Sequence, residues 1–180
     1  NVVLEAGSRY KYTVKVNATG LTLEGCTIGS WVDGGGESGE AEDLGYIYDS
    51  NTNTYTVYNA DGLMNVAELV NGGKTDINIT LTADIDLTGK DWTPIGTDYD
   101  NSYKGTFDGG GHTITGLTFT TNDEYAGLFG WLNRAGTVKN VVMEGVQITS
   151  NQIYGGSIGG VVGYSWGTIE NCSVSGSVSG

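Results

Sequence analysis

Along most of this chain, apolar residues recur at every second position in short runs broken by Gly, Asn, Asp and Thr. Residues 9–17 (RYKYTVKVN) set Tyr10, Tyr12, Val14 and Val16 against Arg9, Lys11, Thr13 and Lys15, the period-two signature of a half-buried strand. Asn17–Gly20 reads as a turn, with Leu21, Leu23 and Ile28 continuing on a second strand. Two strands bury too little to stand alone, so this hairpin needs a partner surface. Residues 33–45 (DGGGESGEAEDLG) hold no large apolar side chain until Leu44 and read as a Gly/acidic linker or flexible loop. Tyr46, Tyr48, Tyr55 and Val57 then mark short strands around an Asn/Thr/Asp turn.

A helical period occurs around residues 60–71, where Leu63, Val66, Leu69 and Val70 share a face. Asn59-Ala60-Asp61 supplies an N-cap and Gly72-Gly73 a stop. Beyond it, INITLTADIDL (77–87) returns to alternation through Ile77, Ile79, Leu81, Ile85 and Leu87. Trp92–Gly96 forms an apolar corner and residues 97–104 a polar loop.

From residue 105 the pattern repeats. Thr113–Phe119 (TITGLTF) returns as Thr137–Met143 (TVKNVVM) and as Thr168–Val174 (TIENCSV). Superposing these copies puts Ile114, Val138 and Ile169 in one column, Leu117, Val141 and Cys172 in a second, and Phe119, Met143 and Val174 in a third. A further column holds Gly116, Asn140 and Asn171, residue types that tolerate the left-handed backbone of a sharp corner. Asn140 and Asn171 are placed to bond each other's amides in successive coils. Gly127–Gly130 (GLFG) returns as Gly160–Gly163 (GVVG), each followed by an aromatic residue, Trp131 and Tyr164. Units of this length cannot bury an apolar face alone, so they must stack. The expected fold is all-β: a right-handed parallel β-helix over residues 55–180, capped at its N-terminal end by the helix near 60–71 and preceded by a β-hairpin.

Composition narrows the partners. The 180 residues carry 21 acidic and 8 basic side chains, a formal charge of −13, with 31 Gly and one Pro. No basic patch exists to neutralise phosphates, which argues against nucleic acid and anionic membrane. No apolar run is long enough for a membrane-spanning helix, so direct membrane insertion is not expected. No leader peptide is visible, and the opening in strand-like sequence reads as that of a mature or trimmed chain. Two cysteines, Cys26 and Cys172, signal no disulfide framework, and Cys172 falls in an apolar column.

Two resemblances follow from these residues. Leu4, Ala6, Gly7, Tyr10, Tyr12, Thr19, Gly20, Leu21 and Trp31 fill a pattern that resembles the last strands of fimbrillin-family domains, surface pilus and adhesin proteins of Gram-negative gut anaerobes. Residues 1–32 are therefore expected as a hairpin remnant, 33–45 as linker and 46–180 as the β-helix. LTADIDL, WTPIG, GTFDGGGHTITGL, GLFG and GTVKNV, in that order, resemble GLUG-motif domains, with GVVG as a departure in the second unit. That resemblance implies a β-solenoid and an extracellular or outer-membrane surface location. It brings no catalytic residues.

The candidate chemistry is sparse. His112, the sole histidine, lies in a Gly-rich turn beside Asp108, with no nucleophile or zinc spacing to accompany it. Asp84, Asp86 and Asp91 precede an apolar corner, and Asp98, Asp100 and Asn101 lie in the loop after it. Paired carboxylates serve glycoside hydrolysis or bind calcium, with Asp98 and Asp100 the candidate calcium ligands, but turn capping is the preferred reading of them. Asp33, Glu37, Glu40, Glu42 and Asp43 form an acidic run without regular ligand spacing. Lys90, Lys104, Arg134 and Lys139 form no cluster of the kind a polysaccharide lyase wants. Trp131, Tyr164 and Trp166, with Tyr99, Tyr103 and Tyr154, are candidates for stacking on sugar rings, and no cofactor is implied. The expectation is a non-enzymatic surface adhesion or stalk module contacting a host glycan or protein. Strand pairing of the hairpin with another subunit is a further expected contact. The competing class is an accessory or catalytic module of a secreted polysaccharide- or peptide-degrading enzyme.

Overall fold

The computed structural model describes residues 15–17, 20–22, 43–152 and 155–180. The chain divides into two units, residues 1–41 and 42–180. In the first, β1 (Lys15–Asn17) and β2 (Gly20–Thr22) pair antiparallel with Asn17 opposite Gly20. The other fimbrillin-like positions, Cys26, and the acidic residues from Asp33 to Glu42 lie outside the described residues, as does Tyr154.

The second unit opens with an antiparallel hairpin, β3 (Tyr46–Asp49) and β4 (Thr54–Val57). Asn53, at φ 51°, turns the chain into β4, and Asp49 Oδ1 accepts from Asn51 N at 2.9 Å to close the turn. Helix α1 (Ala60–Asn71) follows, its first orphan donor met by Asn59 Oδ1, which accepts from Gly62 N at 2.8 Å. At its other end, Gly72 N donates to Glu68 O at 2.7 Å and Gly73 takes φ 104°. Leu63, Val66, Ala67 and Val70 are buried in the common core, while Leu69 is half-buried. The helix seats on the first coil by named bonds: Asn71 Nδ2 donates to Pro94 O at 3.0 Å, Gly96 N to Asn71 Oδ1 at 2.8 Å, and Lys90 pairs with Asp61 at 2.7 Å. Asp43, Leu44 and Gly45, expected as the end of a linker, belong to this unit. Tyr58 N donates to Gly45 O at 3.1 Å, and a Cβ on Gly62 would sit 1.9 Å from that same oxygen. Helix and hairpin meet backbone to backbone there, a contact that leaves no room for a side chain on Gly62.

The remaining strands wind into a β-solenoid of about three turns. The first coil carries β5 (Asn78–Leu81) and β6 (Ile85–Asp86). The second carries β7 (Thr106–Asp108), β8 (Thr113–Thr115), β9 (Thr118–Thr121), β10 (Tyr125–Ala126) and β11 (Phe129–Leu132). The third carries β12 (Thr137–Lys139), β13 (Val142–Ser150), β14 (Ser157–Ile158) and β15 (Val162–Ser165), and β16 (Thr168–Glu170) and β17 (Ser173–Ser179) begin another. Corresponding strands stack in parallel. One sheet runs β3-β4-β5-β7-β12-β16, another β6-β8-β13-β17 with β9 also on β13, and the third side pairs β11 with β15 and β10 with β14.

The apolar columns inside are the physical reason for stacking. Ile79, Phe107 and Val138 lie in register and are wholly buried, as are Ile85, Ile114 and Met143 on the next sheet to within 1 %. Ile95 and Phe129 do the same on the third side. On the last rungs the corresponding Ile169, Val174 and Val178 are 43–45 % exposed.

This register corrects the superposition of repeat copies. Val138 and Ile169 do share a column, but its preceding member is Phe107, 31 residues before Val138, not Ile114. Ile114 stands with Met143 and Val174, and Phe119 with Ile148 and Val178. Val141 adjoins Cys172, since Ser173 N donates to Val141 O at 2.9 Å, whereas Leu117 lies elsewhere, its O accepting from Gln147 N. Threonine-led triplets are interchangeable by pattern: TIT at 113–115 resembles TVK at 137–139 as closely as TFD at 106–108 does, and only sheet pairing separates them.

Asn140 and Asn171 adopt φ 55° and 52° at successive equivalent corners. Their side chains form a ladder along the axis: Asn171 Nδ2 donates to Asn140 Oδ1 at 3.3 Å, and Asn140 Nδ2 to Asp108 Oδ1 at 2.9 Å. Gly116 is also left-handed, at φ 72°, but it turns a different corner beside Thr88. The residue that aligns with Asn140 one coil earlier is Gly109, whose N donates to Lys139 O at 2.9 Å.

Candidate functional site

The third side of the solenoid carries a cluster of five aromatic side chains centred on Trp131. Sheet register creates its middle: Trp131 on β11 pairs directly with Tyr164 on β15, and their ring centroids lie 4.6 Å apart at 54°. Coil spacing of roughly 4.8 Å brings such rings into contact whenever the column repeats an aromatic residue. Tyr125 on β10 packs edge-on against Trp131 at 4.6 Å. Trp166, just past β15, stands perpendicular to Trp131 at 5.7 Å and donates from Nε1 to Tyr164 Oη at 3.1 Å. Tyr99, from the loop of the preceding coil, meets Trp131 at 5.8 Å and Trp166 at 6.1 Å. Glycine makes the close approach possible: a Cβ on Gly130 would sit 2.5 Å from Gly96 O.

The cluster has a packed centre and an open rim. Trp131, Tyr125 and Tyr164 are half-buried, whereas Tyr99 is 58 % and Trp166 49 % exposed. Trp131 Nε1 is buried without a hydrogen-bond partner. Carboxylates stand beside it. Glu124 Oε1 accepts from Tyr125 Oη at 2.6 Å, and that hydrogen bond chiefly pushes the Tyr125 hydroxyl up to about 12. Asp98, next to Tyr99, accepts from Asn101 N at 2.9 Å and from Thr97 Oγ1 at 3.0 Å. These bonds, the Asn101 backbone first, hold its carboxyl below the usual range. A large, partly exposed apolar surface with polar atoms at its edge can stack on sugar rings or receive a partner's side chains.

Other residues singled out by pattern serve the scaffold. Tyr103 is fully buried rather than displayed; its hydroxyl donates to Ile77 O at 2.9 Å and burial raises its pKa. Asp98 spends its acceptors on closing its own loop, and Asp100 is exposed. Among the described residues, no three His, Cys, Asp or Glu side chains converge as a metal cage would require. Asp84 Oδ1 accepts from Thr113 N at 2.9 Å and lies 3.3 Å from His112 Nδ1, while Asp86 Oδ1 accepts from Thr88 N at 2.9 Å. His112 therefore faces Asp84, and Asp108 belongs to the corner ladder, where Lys139 lies 3.3 Å from its Oδ2. Asp91 and Asp123 line one shallow cleft together with Trp92, Phe119 and Thr121. Cys172 is half-exposed, with Sγ 3.2 Å from Glu170 O.

Tyr164 lies 33 residues after Trp131, one coil later, as the repeated glycine motif marks it. Tyr99 reaches Trp131 from the loop between Ile95 and Tyr103, whose partners on the next coil are Phe129 and Leu132. Tyr125 gives no such signal, because the short β10–β14 sheet places it.

Comparison with known proteins matches residues 154–179 to the family described as Glug: The GLUG motif. The match covers the unit that reads GVVG, not the one that reads GLFG. The chain is 32 % identical over 152 residues to Halomucin of Haloquadratum walsbyi, covering 78 % of this chain but 2 % of that protein. It is 35 % identical over 128 residues to a protein of Evansella cellulosilytica provisionally described as a Gly-rich membrane protein, covering 68 % and 14 % respectively. A crystal structure from Bacteroides ovatus, provisionally described as an immunoglobulin A1 protease, superposes with a TM-score of 0.57 at 26 % identity, covering 68 % of this chain and 38 % of that one. The chain thus spans only a small part of the length of the relatives it matches.

Proposed function

We propose that this chain is a non-enzymatic module of a cell-surface protein, a stiff solenoid that displays an aromatic face to a host glycan or protein. The observation that carries this reading is the five-ring cluster, whose rim residues Tyr99 and Trp166 are roughly half exposed on a side of the solenoid held rigid by parallel pairing. Rigid rings lose little conformational entropy on contact, which is why they serve as anchors. The names Halomucin and Gly-rich membrane protein agree with a surface location for the relatives, and among the described residues no helix is long and apolar enough to cross a membrane.

The test is binding of the full chain to a glycan array and to host surface proteins. Trp166→Ala and Tyr99→Ala should weaken binding at least tenfold while leaving the melting temperature within a few degrees. Binding undiminished in both variants would remove the aromatic face from the function.

A second reading, an accessory or catalytic module of a secreted polysaccharide- or peptide-degrading enzyme, draws on the likeness to the Bacteroides ovatus structure and on the cleft lined by Asp91 and Asp123, and ranks behind the first. Hydrolysis by the purified chain, lost in Asp91→Asn, Asp123→Asn, Asp84→Asn or Asp86→Asn, would establish it and displace the first.

A further inference from the structure

We infer that the aromatic face selects uncharged glycans and turns away sialylated or sulfated ones; this rests on the binding role proposed above. The segments that build the face are acidic on both flanks of Trp131. On one side Tyr99 stands between Asp98 and Asp100, and on the other Tyr125 follows Asp123 and Glu124. Two of these carboxylates are fixed rather than free to swing away. Asp98 is tied to the backbone of Asn101, and Glu124 is hydrogen-bonded to the hydroxyl of Tyr125, whose ring lies 4.6 Å from that of Trp131. A ligand stacked on the rim therefore meets carboxylates on the segments that carry Tyr99 and Tyr125.

Lys104 on the Asp98–Asp100 loop and Arg134 in the turn after β11 are two basic residues set against four acidic ones. The chain as a whole, at −13, adds a repulsive background. Charges separated by less than a Debye length of about 8 Å are incompletely screened in physiological salt. An anionic sugar on this rim meets that repulsion, with no cluster of basic side chains to receive its carboxylate or sulfate. Hydroxyl-bearing neutral sugars meet none of it.

The experiment is an array of matched glycans, each neutral chain printed beside its sialylated and sulfated forms, read with the full chain at low and at 0.5 M salt. Neutral members should bind about tenfold more strongly than their acidic counterparts at low salt, and high salt should narrow the gap. In the triple variant Asp98→Asn, Asp100→Asn, Glu124→Gln the gap should fall to about threefold or less, with neutral binding retained. Acidic glycans bound as well as neutral ones, or a gap unmoved by both salt and the triple variant, would overturn the selectivity while leaving the binding role standing. Absence of binding to every glycan would overturn the selectivity together with the glycan form of the proposed binding role.

Discussion

The side-chain amide of Asn171 donates to Oδ1 of Asn140 across 3.3 Å, joining two left-handed corners of successive coils. Asn140 in turn donates to Asp108, so one corner of the solenoid is bound together by side chains as well as by strands. Replacing Asn140 removes two effects that a pair of substitutions separates. Asn140→Gly relieves the left-handed backbone but loses the amide bonds, about 1 kcal/mol of stability. Asn140→Ala loses the bonds and adds roughly 1 kcal/mol of strain at φ 55°. Urea denaturation should rank wild type above Gly above Ala; equal losses would mean that the corner is not strained.

The corrected register makes its own prediction. Phe107 is wholly buried in the column of Val138, so Phe107→Ala should cost about 3–5 kcal/mol. Ile169, in the same column but 45 % exposed, should lose less than about 1 kcal/mol as Ile169→Ala. Denaturation midpoints compare the two directly. Similar costs would require Ile169 to be covered in solution.

Gly62 reverses the ordinary rule for helices. Alanine in place of glycine normally favours a helix by up to about 1 kcal/mol. Here the added Cβ would meet Gly45 O at 1.9 Å, and Gly62→Ala should instead destabilise by about 1–3 kcal/mol. A melting temperature raised by this variant would show that helix and hairpin are not in contact at that point.

Acid should loosen the corners. The carboxyls of Asp84, Asp86, Asp98 and Asp108 are held below their ordinary range, chiefly by backbone N–H donors from Thr113 and Asn101 for Asp84 and Asp98, by the Thr88 hydroxyl for Asp86, and by the Asn140 amide for Asp108. Because the folded values are depressed, their contribution is complete above the unfolded carboxyl pKa of about 4 and is lost as pH falls through the folded values. Thermal melts should be flat from about pH 5 to 8 and fall below about pH 4. Asp108→Asn should make that acid fall shallower, and an unchanged slope would remove Asp108 from the linkage.

Much of this architecture is written in residue types whose chemistry is local. Asn140 and Asn171 advertise left-handed corners, Asn59 and Gly72 bracket the helix, and alternating Ile and Val define inward faces. Register is less readable, because sheet pairing is decided by long-range fit rather than by neighbours. Thr113 and Thr106 each head a plausible copy of Thr137, and only the buried bulk of Phe107 beside Val138 selects the second. The aromatic face divides in the same way. Trp131 and Tyr164 follow the repeated glycine motif, whereas Tyr125 reaches them through a two-residue pairing with Ser157 and Ile158 that no periodicity marks. Tyr103 misleads for a related reason: it sits in a polar loop, yet its hydroxyl finds Ile77 O inside.

Parallel stacking also determines how such a module yields to force. Backbone hydrogen bonds between coils point along the solenoid axis, so tension on a tethered module loads them rung by rung. A coil contributes only about 4.8 Å of length while folded. Peeled away, its 31 residues, the spacing from Val138 to Ile169, extend to about 100 Å. In the surface role proposed above, such a solenoid under tension would act as a shock absorber, lengthening in large discrete steps.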